Sequence, residues 1–480
     1  MESYIKNMLH KKGYTVNEEA LDIIRECGEW YGNRKINGFH NRMTVQGKPY
    51  DLNRLNFAKR CCSDDANLCE VLEINAGNSN KEQGKDGKKN PDEQDAFVNT
   101  VLSGSEFNTQ YRKQLEKTSA EGTSACYVRL DNAVILSDGK VTKATSGEIR
   151  LNYVEADCFI PLTVENDIVT EAAFAGSVMK QGKKETTLVM FTKQKDKYTA
   201  ETHVFDEHGS EINESEKIVQ LGDVKPFAVM RNAEVNNLDN MTGYGLPKIH
   251  NAIPMLKALD LCYNVLYGDL DKADKLLIVN DIMCKFDENG DPIKPNEQSE
   301  KLFVLIGQDK LPDSKELVTE YNPVIRIEEI TKAFELNLSL LSMMFGYGTK
   351  KYSFENGQIT TATEYIGERQ DQMQELNRQR QESIRYIQDI CRAVMWFSNT
   401  FHGTTYNTEA EILIDFDDSY ITDKEAELER VRNDALSFDI PELTIWYLMD
   451  AYNLTEEQAA ALVAAKQEAA EQDSDGEEED

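Results

Sequence analysis

The chain is short of positive charge. It sets 53 lysines and arginines against 85 aspartates and glutamates, a formal net charge of −32 over 480 residues. A polyanion must therefore be met at a few local basic positions, because the global field repels it; a protein that coats DNA through a broad basic surface is excluded. Long apolar runs are missing too. No stretch approaches the roughly 20 apolar residues of a membrane span, and the opening MESYIKNMLHKKGY has no apolar core before a small-residue cleavage site. A soluble intracellular product with no membrane partner is expected. The nine cysteines (Cys27, Cys61, Cys62, Cys69, Cys126, Cys158, Cys262, Cys284 and Cys391) form no C-x-x-C pair and several sit in apolar stretches, which predicts free thiols in a reducing compartment.

Cofactor and metal signatures are equally scarce. No G-x-x-x-x-G-K-[ST] occurs, and Gly87-Lys88 and Gly182-Lys183 lack both its spacing and its hydroxyl, so ATP hydrolysis is not expected. His203 and His208 in HVFDEH have no third ligand at a usual spacing and read as a strand running into a turn. FDENGD around Asp287 has its glycine too early for a calcium loop, and Asn289-Gly290 reads as a tight hairpin turn. The G-x-G pairs at 243 and 346 never reach the third glycine of a dinucleotide loop. No cofactor is expected.

What is present is a sequence of distinct textures, on a chain long enough for two to four compact units. The first 75 residues carry helical periodicity, and residues 76–95 form a polar stretch expected to be a mobile surface loop. From Ser124 to about Met230, CYVRL, AVILSDG, EIRLNYV, CFIPLTVEN, DIVTEAAFAG, TTLVMFTKQ, YTAETHVFD and KIVQLG predict an antiparallel sheet domain. From Gly245 the apolar step changes to three and four, through Ile249, Ile253, Leu256, Leu259, Cys262, Leu266 and Leu270, predicting a helix of about 30 residues. A small strand module follows, and then a second helix with Ile327, Ile330, Phe334, Leu338, Leu341 and Phe345 on one face. Gly346–Thr360, with three glycines, paired lysines and aromatics, reads as a loop. Thr361-Ala-Thr-Glu364 is a capping box opening about 40 residues of helix whose polar middle predicts cover from other subunits. After a strand near 411–416, a helix pair breaks at Asn453 with Thr455 capping its second member, before an acidic tail.

The order of these pieces resembles the portal proteins of tailed bacteriophages, carried by GLPKIHNAIPMLKALD, ITTATEYIGERQDQM and ILIDFDDSYITDKEAEL. The resemblance covers about 240–430. It implies an α+β subunit with a wing (1–240), a stem helix (241–275), a β clip (276–323), a second stem helix (324–345), a tunnel loop (346–360), a long wing helix with its following strand and helix (361–440), a helical crown (441–471) and an acidic disordered tail (472–480). It further implies a dodecameric ring at one capsid vertex of the virion, assembled in the host bacterial cytoplasm. Double-stranded DNA would pass through the ring, and its partners would be the terminase large subunit, a head-completion or adaptor protein, and the major capsid and scaffolding proteins. The chain would be a conduit, not an enzyme.

Within that picture Lys350 and Lys351, with Tyr347 and Tyr352, are the residues expected to touch the duplex, and an ordinary exposed charged loop is the plain alternative. Lys272 and Lys275 either add a ring of channel charge or complement the helix dipole. Leu259 and Leu341 are expected to pack between subunits. A competing reading is an acidic intracellular scaffold that binds protein partners through its long helices. Catalysis by Glu364, Glu368 and Asp371 is disfavoured, since such residues on a charged helix usually form ion pairs.

Overall fold

The structure, a computed structural model, describes residues 2–44, 46–77, 93–131, 147–212, 217–238, 240–271, 273, 276–280, 288–289, 303–306, 318–349, 351–352, 370–416, 430–435, 437, 441–452, 455 and 458–465. Mixed helix and strand are present, as the α+β reading requires. Helices α1 (Ser3–Lys11), α2 (Glu18–Tyr31) and α3 (Phe57–Ala66) account for the helical texture of the first 75 residues, with short strands β1 (Asn41–Met43), β2 (Pro49–Asp51) and β3 (Val71–Asn75) between and after them. Helices α4 (Glu93–Gly104) and α5 (Phe107–Glu121) then lead into the strand region.

The centre of the polar stretch 76–95 lies outside the described residues, but its ends are fixed and correct its boundaries. Glu93–Asp95 already belong to α4. Asp95 accepts the Ala76 N–H at 2.8 Å, and the Gln94 amide donates to the Ala76 carbonyl at 2.6 Å.

The alternating segments become eight strands: β4 (Thr123–Asp131), β5 (Glu148–Glu155), β6 (Phe159–Glu165), β7 (Ile168–Lys180), β8 (Lys183–Gln194), β9 (Lys197–Phe205), β10 (Lys217–Gln220) and β11 (Phe227–Arg231). AVILSDG lies outside the described residues. Strands β6 to β10 form a five-stranded antiparallel meander, while β11, β4 and β5 form a separate three-stranded antiparallel sheet. The expected single sheet is thus two. Tyr127, Phe159, Phe174, Phe191 and Phe227 point between them, with ring centroids from 4.9 to 5.9 Å apart, and merge them into one apolar core. The other face of the meander receives Ile5 and Leu9 of α1.

At the edge of this core Glu121, the last residue of α5, is 6% exposed and its Oε2 has no hydrogen-bond partner. Burial pushes its carboxyl up to about 7, against the pull of Lys117 at 3.4 Å. A carboxyl raised on folding favours the native state fully below its ordinary value near 4.5, and that contribution disappears as pH rises toward 7. Glu121→Gln is therefore expected to stabilise the protein at pH 8 by up to about 3 kcal/mol and to change little near pH 4. Urea titrations at the two pH values check this, and equal shifts at both would refute it.

The helix expected from Gly245 is shorter than its sequence suggests. Helix α6 runs from Lys248 to Asp271, 24 residues, and crosses Pro254 without ending. Helix α7 (Ile327–Met344) returns against it, and Arg326 grips Asp269 with two hydrogen bonds of 3.1 and 3.0 Å where the two helices open. Between them β12 (Leu276–Asn280) pairs in parallel with β13 (Phe303–Ile306) and antiparallel with β14 (Val318–Tyr321). The Asn289-Gly290 turn falls largely outside the described residues; the strands flanking it are parallel, so it does not join those two as a hairpin.

The middle of α6 is tied back to the amino-terminal helices through a buried pair. His40 Nδ1 accepts the Ile36 N–H at 2.9 Å, so Nε2 carries the proton and donates it to Asp260 at 3.0 Å. Asp260 also accepts the Leu55 N–H at 2.7 Å, and burial holds its carboxyl above the usual range.

Helix α8 (Gln370–Phe397) is the described part of the long polar helix; Thr361 to Glu368 lie outside the described residues. One face of its polar middle is covered by its own chain. Gln379 accepts the Ala233 N–H at 3.0 Å and donates to the Arg231 carbonyl at 3.3 Å, and Tyr386, fully buried, donates to Gln114. Gln379 thus satisfies the end of β11, a role that periodicity does not disclose. Strand β15 (Leu413–Phe416) pairs antiparallel with β3. Helix α9 (Pro441–Tyr452) follows, and Thr455 and Gln458 form the expected reciprocal cap, with Gln458 N–H to Thr455 Oγ1 at 3.4 Å and Thr455 N–H to Gln458 Oε1 at 3.1 Å. The tail from 466 lies outside the described residues.

Candidate functional site

The loop after α7 begins with a helix stop. Gly346 sits at φ +78°, its N–H bonded to the Met343 carbonyl at 3.0 Å, while the Tyr347 N–H reaches the Ser342 carbonyl at 3.0 Å. This pair of backward bonds is a Schellman termination, which wants glycine at that position because only glycine holds the left-handed conformation without strain. A Cβ there would also meet Glu375 Cγ at 3.0 Å. The first glycine of the loop is therefore a cap rather than a hinge.

The chain direction set by that cap drives Tyr347 inward. It is 3% exposed, and its hydroxyl donates to Asp65 Oδ1 at 3.0 Å. The Tyr352 hydroxyl reaches Asp64 Oδ2 at 3.1 Å, and the two tyrosine rings lie 6.2 Å apart. Both acids belong to the last turn of α3, where Arg60 Nε also bonds Asp64 at 3.0 Å. Behind them Lys248, the first residue of α6, is 1% exposed and bridges Asp65 at 2.8 Å and Glu375 of α8 at 3.0 Å. Burial works against its ammonium, but the two carboxylates outweigh that and hold it above the usual lysine value.

Four elements distant in sequence thus converge on one charged knot: the end of α3, the start of α6, the exit of α7 and the first turns of α8. Its potentially reactive groups are silent. Burial pushes the Cys61 thiol up to about 12 and raises the hydroxyls of Tyr347 and Tyr352 as well, so all three stay protonated at neutral pH. The arrangement holds; it does not react.

The structure separates the residues that the sequence grouped as duplex contacts. Tyr347 is an anchor turned toward α3 and enclosed there, and the half-buried Tyr352 is tied to the same helix through its hydroxyl. Lys351 is exposed, its ammonium 5.8 Å from the centre of the Tyr347 ring. Lys350, Lys272 and Lys275 lie outside the described residues. Sequence reasoning missed Lys248, Asp64, Asp65 and Glu375. One signal was available: Lys248 shares a stripe with Ala252, Leu256 and Leu259 at steps of four and three, and a lysine on an apolar stripe implies a buried partner.

Helices α6 and α7 show a second feature. Leu259 and Leu341, expected between subunits, are both 0% exposed inside this one chain, packed in the α6–α7 contact with Ile253, Leu256, Leu338 and Phe345. Beyond Asp260 the cover thins, although Arg326 still reaches Asp269, and exposed apolar residues appear: Leu261, Tyr263, Val265, Tyr267 and Leu270 are 36–53% exposed. At about 100° per residue, Leu261 and Val265 lie on the side opposite Tyr263, Tyr267 and Leu270. The outer half of α6 therefore exposes apolar side chains on two opposite sides, with Asn264, Asp269 and Asp271 between them. Leu336 and Met343 of α7 are likewise exposed.

No described helix is long and apolar enough to cross a membrane. Residues 54–472 match the family model described as phage portal protein, SPP1 Gp6-like, a span that includes the charged knot, both stem helices and the strand insert. No curated protein sequence matches the chain.

Proposed function

The chain belongs to the phage portal protein family, SPP1 Gp6-like, and from that premise we propose that it assembles as a dodecameric ring at one capsid vertex, through which double-stranded DNA is packed and later ejected. The observation that carries the ring is the outer half of α6. Each copy in a ring has a neighbour on either side, and a helix apolar on opposite sides is suited to lie between two of them. The wing is assigned to 1–240 with 361–440, the stem to 241–275 and 324–345, the clip to 276–323, the tunnel loop to 346–360 and the crown to 441–471. The clip, at the far end of the helix pair, is the docking surface for the terminase large subunit and afterwards for an adaptor protein, while the wing meets capsid and scaffolding proteins. ATP hydrolysis falls to the terminase, and this chain serves as a conduit.

An acidic conduit suits DNA that must slide, because phosphates find few lasting contacts on its wall. Lys350 and Lys351 are the local exception. They follow the anchored Tyr347 in sequence, so the knot fixes where the loop starts, and the paired lysines meet the duplex; Lys272 and Lys275, which follow α6 in sequence, add a weaker ring of charge. Changing Lys350 and Lys351 together to Glu is expected to leave rings intact and to cut nuclease-protected genome per head by about tenfold, with Ala in both places doing less, since repulsion in a confined channel exceeds lost attraction. Wild-type yield and retention from the double-Glu protein would remove these lysines from the channel.

A further inference from the structure

We propose a second contact between neighbouring copies, made by the tip of the β7–β8 hairpin of one chain on the β3–β15 ribbon of the next; it rests on the ring reading above. The hairpin turns at Gln181-Gly182 and places Lys180 directly opposite Lys183 in register. The ribbon places Glu73 directly opposite Asp415. Like charges facing each other across a strand pair are destabilising, and here each pair stands exposed on its own chain with the opposite sign from the other. Among the described residues Lys183, Glu73 and Asp415 form no ion pair, and Lys180 has only the half-buried Glu185, at 2.7 Å.

The apolar neighbours match as well. Alternation puts Val178, 58% exposed, on the face of the two lysines, and puts Leu413, 49% exposed, on the face of the two acids. Residues 178–197 hold six lysines and two acids, a positive segment within a chain of net charge −32, so the surface most attractive to this hairpin is another copy of the same protein. Two complementary patches at different places on one chain give a head-to-tail contact, the kind that closes rings.

The test is reciprocal. Lys180→Glu with Lys183→Glu, and separately Glu73→Lys with Asp415→Lys, are each expected to raise the protein concentration at which rings form by about tenfold in sedimentation velocity, with unchanged circular dichroism. Joining all four changes restores opposite signs across the contact and is expected to bring the threshold back to within about threefold of wild type. Unchanged thresholds in either double variant, or a fourfold variant worse than both, overturn this contact while leaving the ring reading standing. A wild-type protein that never forms rings overturns both.

Discussion

Lys248→Met is expected to lower the unfolding free energy by about 3–5 kcal/mol, the usual cost of removing one partner from a buried ion cluster. The methionine fills much of the lysine stem's volume, so the loss is electrostatic. Asp65 and Glu375, 10% and 12% exposed, would face each other without the ammonium that now joins them. Asp65 also receives the Tyr347 hydroxyl, so the same change is expected to speed hydrogen exchange at Phe345–Gly348 more than in the five-stranded sheet. Adding Asp65→Asn and Glu375→Gln removes the stranded charges and is expected to recover most of the stability. Because the lysine is raised above its ordinary value near 10.4, its contribution is complete below about pH 10 and fades only in stronger alkali, so neutral pH suffices for the measurement. Chemical denaturation of the single and triple variants decides it. A single variant as stable as wild type would mean that Lys248 does not hold the knot together.

The second large effect separates two classes of stem residue that look alike in sequence. Tyr267→Asp alters a side chain that is 53% exposed in one chain and is expected to abolish ring formation while leaving the subunit folded, because the charge is desolvated only when a neighbour arrives. Leu341→Asp alters one that is 0% exposed and packed against α6; it is expected to cost at least about 4 kcal/mol of subunit stability and to yield aggregate or unfolded chain. Native mass spectrometry and thermal unfolding of the two proteins give the comparison. Rings from Tyr267→Asp would remove the outer half of α6 from the interface, and a stable monomer from Leu341→Asp would contradict its place in the subunit core.

Much of the architecture was legible because it is written in local periodicity. Period-two alternation marked β4 to β10, three- and four-residue steps marked α6 and α7, and Thr455 marked the cap of the last helix. Those signals depend on neighbours within a few positions, where sequence distance and spatial distance agree. The family resemblance carried by residues 240–430 was likewise a matter of order along the chain, and the match over 54–472 agrees with it.

Only the tertiary structure decided what covers each face. Leu259 and Tyr267 are both apolar positions of α6, yet α7 and the amino-terminal segments enclose the first and leave the second half-open, so one is core and the other is exposed. The polar middle of α8 looked uncovered until β11 brought backbone groups to Gln379. Gly346 read only as the start of a loop and serves as a helix stop, and Tyr347 read as a contact for a partner and serves as an anchor on Asp65. Lys248 meets Asp65 and Glu375 across 183 and 127 positions of chain. A pattern along the sequence states which face of a helix avoids water, but burial and charge pairing are settled by groups that folding brings from far away, and those partners leave no mark at the position they satisfy.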